Sequence, residues 1–84
     1  MPLQKQWRPL ERSTVAQAPD RPGVYELGDA DGEVRTIDSG VLRDELKTAL
    51  AYESADRVRW EATHTLEEAE NRAVEHRARA GLEE

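Results

Sequence analysis

The sequence predicts an α+β domain in which a three-stranded antiparallel sheet packs with two helices, in the order β-β-α-β-α. Two observations lead to this prediction. Three short segments have the composition or the alternation of strands, and two longer segments repeat apolar residues at helical spacing. Because 84 residues are enough for only one domain, we assign this domain to residues 21–82 and an irregular N-terminal arm to residues 1–20.

The N-terminal arm has no sustained apolar period. Its three prolines oppose a long helix or strand, because proline lacks an amide hydrogen and fixes φ. We expect Trp7 and Leu10 to attach the arm to the core of the domain.

The first two strands are predicted to form a hairpin. The segments GVYEL, residues 23–27, and VRTI, residues 34–37, contain the β-branched and aromatic residues that favour strands. They flank the turn GDADGE, in which Asp31-Gly32 offers a position for positive φ.

Apolar residues of this hairpin point to both faces of the predicted sheet. Val24 alternates with Tyr25 and Leu27, so we expect it to face away from both. By the same alternation we expect Val34 to face away from Ile37. Each face of the sheet therefore needs to be covered by another part of the chain.

A first long helix is predicted in VLRDELKTALAY, residues 41–52. Its apolar residues recur at i, i+4, i+7 and i+8 and form one stripe, which consists of Leu42, Leu46, Ala49 and Leu50. Asp38 or Ser39 can cap the exposed amides at its start. The stripe requires a sheet to pack against.

The third strand and the second helix complete the predicted domain. RVRWEA, residues 57–62, alternates cleanly and places its apolar residues on one face. The helix begins with a capping box, in which Thr65 accepts from the amide of Glu68 and Glu68 reaches back. It ends near Gly81.

The composition limits the classes of site. The chain has no cysteine, which excludes a disulfide, a thiolate metal site and a cysteine nucleophile. No serine or threonine has a histidine and an acid arranged around it as in a hydrolase triad. We interpret His64 as a neighbour of the helix cap and His76 as a surface residue, because they are too far apart to bind one metal from a single helix.

The charge limits the classes of partner. A net charge of −6 disfavours a general phosphate-binding surface. The composition, rich in acids and poor in lysine, resembles that of proteins adapted to high salt, in which acidity does not exclude a polyanionic partner; an ordinary acidic domain is the alternative. The segment MPLQKQWRPLERST lacks an apolar stretch long enough for a signal peptide, and no segment of the chain approaches the apolar length of a membrane span, so we expect a cytoplasmic protein without a membrane partner.

The order of the predicted elements and the motif PGVY in the first strand resemble the GIY-YIG nuclease domain of homing endonucleases and excision-repair nucleases. The resemblance covers about residues 18–81. It implies that Tyr25 helps to activate water, that a glutamate of the last helix binds a divalent metal such as Mg²⁺, and that an arginine stabilises developing charge. Glu70 is the best match for the metal-binding glutamate, with Glu68 and Glu75 as alternatives.

The chain departs from this family at two motifs. Thr36-Ile37-Asp38 stands where the family has a second motif of tyrosine, isoleucine and glycine. Glu45 stands where an arginine of a Leu-x-x-Arg helix would contact phosphate, and Arg43 can replace that arginine only if the helix is rotated. Because the loss of one electrostatic stabiliser typically costs about 10²–10³ in rate, we predict an impaired catalyst.

Some of these residues also have structural interpretations. Tyr25 can be a core or rim aromatic residue. Glu70 falls inside the apolar arc of the last helix together with Arg77, and the two can form an ion pair at the margin of the sheet. The strand arginines Arg35, Arg57 and Arg59 form either a basic stripe for a phosphate backbone or a solvated cross-strand network with Glu26, Glu33 and Glu61.

Three functional hypotheses follow, and they differ in whether the protein is an enzyme. The first is a catalytically impaired GIY-YIG-like module that binds nucleic acid or a protein partner and needs no cofactor. The second is a divergent Mg²⁺-dependent nuclease that uses Tyr25, Glu70 and Arg43. The third is a structural interaction protein, such as a homodimer joined through the edge of its sheet.

Overall fold

A computed structural model describes residues 6–81, which form four strands and three helices. In chain order these are β1 (Arg8–Pro9), α1 (Arg12–Val15), β2 (Pro22–Gly28), β3 (Val34–Val41), α2 (Leu42–Tyr52), β4 (Arg57–Ala62) and α3 (Leu66–Ala80). The strands form one antiparallel sheet with the order β1-β4-β2-β3, which confirms the α+β class. None of the helices in this range has the length and apolar content needed to cross a membrane.

The N-terminal arm contains more regular secondary structure than predicted. The three predicted strands and two predicted helices are present in the predicted order, but their number is too low, because the described part of the arm adds the two-residue β1 and the one-turn α1. In β1, Arg8 pairs with Val58 and Pro9 pairs with Arg57. Elements this short give no periodic signal in the sequence, and β1 depends on a partner strand distant in the chain.

Helices cover both faces of the sheet, as predicted. On the α2 face, Tyr25 and Leu27 pack with α1 and α2 in a cluster that consists of Val15, Ala18, Tyr25, Leu27, Leu42, Leu46, Ala49 and Val58. On the α3 face, Val24 packs with Ile37 and Ala73. The prediction that Val24 faces away from Tyr25 is confirmed.

The hairpin contains an irregularity that reorients Val34. Its turn has the predicted positive φ at Gly32, 82°. The register between β2 and β3 shifts at Leu27/Gly28, and Gly28 pairs with Val34. Val34 therefore packs on the same cluster as Ile37, and the prediction that these two residues face opposite directions is wrong.

β3 leads directly into α2. The strand continues beyond its predicted end to Val41, and neither Asp38 nor Ser39 caps the helix, contrary to prediction. The first two amides of α2 instead donate to backbone carbonyls of the segment before β2, at 2.8 and 3.2 Å. Gly40 adopts a φ of 154°, and a Cβ at this position would lie 2.6 Å from Glu45 Cγ.

The two ends of α3 agree with the predicted caps. Thr65 accepts from the amide of Glu68, and Gly81 ends the helix with a φ of 74°. The side chain of Glu68 reaches back to the amide of His64, at 2.9 Å. These bonds satisfy amides that the first turn of the helix leaves without intrahelical partners.

The buried face of α3 is rotated relative to the prediction. Ala69, Ala73 and His76 are buried, whereas the two largest apolar side chains of the helix are about half exposed. Glu70 is exposed and lies outside the buried face. The interpretation of His76 as a surface residue is wrong, because its side chain packs into the α3 face of the sheet.

Candidate functional site

Tyr25 is part of the core on the α2 face. It is 6% exposed, and its hydroxyl donates to Glu45 Oε1 at 3.1 Å. Burial, followed by the negative charges of Asp38 and Glu45, raises the pKa of Tyr25 above its ordinary value. The hydroxyl therefore keeps its proton at neutral pH, and a phenolate that could activate water is disfavoured.

The predicted catalytic set is divided between the two faces of the sheet. Tyr25 points to the α2 face, whereas Glu70 belongs to α3, which covers the opposite face. The sheet therefore separates the two side chains. Arg43 lies on α2, and its Nε donates to the carbonyl oxygen of Ala18 at 3.2 Å.

The alternative metal ligands on α3 have other partners. Glu68 accepts from the amide of His64, and Glu75 pairs with Arg79 at 3.4 Å. Across residues 6–81, no group of three acidic or histidine side chains is placed to hold a metal ion. The Mg²⁺ site that the nuclease resemblance implies therefore stays a prediction.

The three arginines predicted to bind nucleic acid do not share one exposed surface. Arg35 is exposed on the edge strand β3 and pairs with Asp29 at 3.0 Å. Arg57 is exposed on β4 beside β1, near the opposite edge. Arg59 is only 3% exposed and pairs with Glu26 across the strands, so this pair is buried and not part of a solvated network as predicted.

A buried ion pair lies on the α3 face of the sheet. Glu26 of β2 is completely buried, and its Oε1 accepts from Nε of Arg59 on β4 at 2.6 Å. The guanidinium also lies over the ring of Trp7, 4.0 Å from the centroid. Burying an isolated charge has a large free-energy cost, and the attraction between Glu26 and Arg59 offsets this cost for both charges.

His76 approaches this ion pair from α3. Its Nδ1 lies 3.7 Å from Glu26 Oε2, which is too far for a hydrogen bond, and both atoms are buried without a hydrogen-bond partner. Burial lowers the pKa of His76 and outweighs the opposing effect of the Glu26 charge. The imidazole is therefore neutral at pH 7.

We expect this neutral histidine to make the stability of the fold depend on pH. The unfolded chain binds a proton at the ordinary histidine pKa of about 6.5, whereas the folded chain binds it only at lower pH. The contribution of His76 to stability is therefore complete above about pH 6.5 and is lost as the pH falls toward the folded pKa. Urea denaturation between about pH 7.5 and 5.5 measures this loss.

Two variants isolate the contribution of His76. His76→Gln should lose less stability than the unmodified protein as the pH falls, because it has no buried imidazole to protonate. His64→Gln removes an exposed histidine and should lose as much as the unmodified protein. Equal losses in His76→Gln and the unmodified protein would contradict the assignment.

Both tryptophans of the chain lie where β1 meets β4. Arg8 of β1 stacks over Trp60 of β4, with its Cζ 5.2 Å from the ring centroid. Trp7 lies on the α3 face, where a Cβ on Gly28 would be 2.7 Å from its ring. Trp60 and Arg8 lie on the α2 face and Trp7 and Arg57 on the α3 face of this edge of the sheet, which we call the arginine–tryptophan edge.

Two cavities open along the arginine–tryptophan edge and share Arg8. One, of about 230 Å³, is lined by Gln6, Arg8, Arg59 and Trp60. The other, of about 410 Å³, is lined by Trp7, Arg8, Pro9, Ala30, Asp56 and Arg57. Guanidinium donors and partly exposed indole rings together can bind a ligand that is both planar and anionic.

Sequence reasoning missed this edge. It assigned Trp7 only to the attachment of the arm and Trp60 only to the apolar face of a strand. One signal was available, because each tryptophan has an arginine as its chain neighbour, in Trp7-Arg8 and in Arg59-Trp60. The pairing of β1 with β4, which joins these two dipeptides, has no local signature.

Comparison with known proteins identifies a family but no activity. The model of a family described as a domain of unknown function (DUF7508) matches residues 1–79. No curated protein and no solved structure matches the chain.

Proposed function

We propose that this chain, which belongs to the DUF7508 family, is a non-catalytic module that binds single-stranded nucleic acid at the arginine–tryptophan edge. One observation carries the proposal. Both tryptophans and the exposed Arg8 and Arg57 lie at this edge, around two adjoining cavities, in a chain with a net charge of −6. The combination of aromatic rings with guanidinium groups is typical of surfaces that bind single strands.

The two residue types have different tasks in this proposal. The exposed Arg8 and Arg57 donate hydrogen bonds to phosphate oxygens, and the indole of Trp60 contacts a base. The net charge of −6 opposes long-range attraction of a polyanion, so affinity depends on these short-range contacts. High salt screens the long-range repulsion and favours this mode of binding.

The environment of Tyr25 supports a non-catalytic function. Its hydroxyl donates to Glu45, which stands where the GIY-YIG family would have an arginine, and the nearby Asp38 adds negative charge. These acids repel a phosphate from the position where the nuclease resemblance would place it. We therefore regard the chain as a GIY-YIG-like scaffold with altered catalytic positions and a separate binding surface.

A fluorescence titration with single-stranded oligonucleotides tests the proposal, because both tryptophans lie at the proposed surface. We expect a change in tryptophan emission on binding. Arg8→Gln and Arg57→Gln should each weaken binding about tenfold, as expected for the loss of a hydrogen bond to a charged group. Each should also reduce the slope of log K against log salt concentration by about one. Arg35→Gln makes the same charge change at the other edge of the sheet and should bind like the unmodified protein.

The outcomes of this titration separate the functional hypotheses. Absence of binding to single-stranded DNA and RNA would overturn the proposal and would leave a protein partner as the target. Equal weakening by Arg35→Gln and Arg57→Gln would overturn the assignment of the surface. Cleavage of the oligonucleotide with Mg²⁺ or Mn²⁺, abolished by Tyr25→Phe and Glu70→Ala, would instead establish the nuclease hypothesis.

A further inference from the structure

The outer edge of β3 is a pairing surface on the side of the sheet away from the arginine–tryptophan edge. β3 is eight residues long, and within residues 6–81 no strand pairs with its outer side. Long edge strands tend to pair with other chains, because their outward amides and carbonyls are available. The inference drawn from this edge is therefore independent of the proposed function.

The hydrogen bonds of β2 define which groups of β3 point outward. The carbonyls of Pro22 and Gly28 accept from amides of the chain on the β4 side. In an antiparallel strand the amide and carbonyl of one residue lie on the same side, and this side alternates from residue to residue. The backbone groups of Gly23, Tyr25 and Leu27 must therefore point toward β3. Their partners in β3 include Asp38, so the neighbouring Ile37 and Ser39 direct their backbone groups outward.

The side chains of Arg77 and Asp38 form hydrogen bonds with these outward backbone groups. Arg77 Nε donates to the carbonyl oxygen of Ile37 at 2.7 Å, and its Nη2 donates to Asp38 Oδ1 at 3.1 Å. The same Oδ1 accepts from the amide of Ser39 at 2.8 Å. Because Arg77 starts from α3 and Asp38 is paired with Tyr25 on the α2 face, the guanidinium wraps around the edge of the sheet.

The sequence of β3 makes this edge complementary to a second copy of itself. A two-fold axis at Ile37 would align two antiparallel β3 strands and place Arg35 opposite Ser39 and Thr36 opposite Asp38. No like charges would then face each other. This register also pairs Ile37 with Ile37 of the second copy, whose backbone groups both point outward, as strand pairing requires.

Apolar side chains on α3 add to this complementarity. Leu66 and Val74 are each 52% exposed, and their spacing of two turns places them on one side of the helix. Arg77 lies one turn beyond Val74, so this side of α3 is the one that adjoins β3. In the two-fold arrangement the two α3 helices would lie on the same face of the joined sheet.

We infer that Arg77 and Asp38 are a guard of the β3 edge, and that this edge pairs with a second copy of the chain when the guard is removed. Strand pairing requires the carbonyl of Ile37 and the amide of Ser39, both of which the guard occupies. A charged side chain at an edge also prevents close approach of another strand.

Sedimentation equilibrium of two matched variants tests the guard. Arg77→Gln removes it, whereas Arg79→Gln makes the same charge change in an exposed ion pair of the same helix. We expect the dimer dissociation constant of Arg77→Gln to fall at least about tenfold below that of the unmodified protein. Arg79→Gln should sediment like the unmodified protein.

A second substitution shows whether any dimer uses β3. Ser39→Pro removes an outward amide and is compatible with an edge strand, so adding it to Arg77→Gln should restore the monomer. A dimer that persists, or Arg77→Gln that remains as monomeric as Arg79→Gln, would overturn the inference. If Arg77→Gln does not fold, hydrogen exchange of the unmodified protein decides, because a guarded Ser39 amide must exchange more slowly than the outward Ile37 amide.

Discussion

Replacing Arg59 with methionine is expected to lower the free energy of unfolding by about 3–5 kcal/mol. The substitution keeps much of the side-chain volume but leaves the carboxylate of Glu26 completely buried without its cationic partner. His76 does not replace this partner, because its imidazole is neutral and its Nδ1 is 3.7 Å away. Urea denaturation monitored by circular dichroism measures the loss.

Two control variants distinguish the buried pair from a general effect of lost charge. The double variant Glu26→Leu, Arg59→Met should recover most of the lost stability, because no buried charge remains. Arg72→Gln breaks the exposed pair with Glu61 and should cost less than about 1 kcal/mol. If the double variant is as unstable as Arg59→Met, the unpaired carboxylate is not the cause.

Replacing Leu46 with alanine is the second substitution with a large expected effect, a loss of about 2–5 kcal/mol. Leu46 is completely buried in the cluster of the α2 face, where it packs with Tyr25 and Leu27 between α2 and the sheet. Alanine would leave a cavity in a domain whose small size limits the core available to stabilise it. Thermal and urea denaturation give the change in stability.

Leu50 provides the matched control for this substitution. It lies one turn further along α2 and is 36% exposed, so Leu50→Ala should cost about 1 kcal/mol. Both variants exchange leucine for alanine in the same helix and have the same effect on helix propensity. A similar loss in the two variants would contradict the burial pattern of α2.

The parts of the fold that could be predicted are those with strong local signals. The alternation of RVRWEA predicted β4 with its observed bounds, and the capping box at Thr65 predicted the start of α3. The stripe of α2 was predicted because its apolar residues recur at helical spacing. Each of these signals depends only on residues that are neighbours in the chain or one turn apart.

The errors arise where contacts between distant segments decide the structure. The register shift that turns Val34 toward Ile37 depends on the partner strand and not on alternation within β3. The α3 face accepts the polar His76 beside Glu26, so the apolar arc alone gave the wrong rotation for the helix. Tertiary packing thus overrides the amphipathic pattern of a helix this poor in large apolar residues.

The candidate site was less predictable than the fold. The resemblance grouped Tyr25 with Glu70, but the two side chains extend from opposite faces of the sheet. The alternative interpretation, an ion pair of Glu70 with Arg77, is wrong, because Arg77 instead binds Asp38 and the backbone of β3. The arginine–tryptophan edge requires the arm to pair with β4, and neither segment alone indicates this.

The pairing of β1 with β4 also determines when the molecule acquires its exposed aromatic surface during folding. Closing the long loop between these strands costs more chain entropy than forming the local hairpin of β2 and β3. Such distant contacts form late, and a short strand held by them is among the first segments to open transiently. A chain in which β1 has not paired with β4 therefore lacks the arginine–tryptophan edge, and a ligand that binds this edge would select molecules in which the pairing has formed.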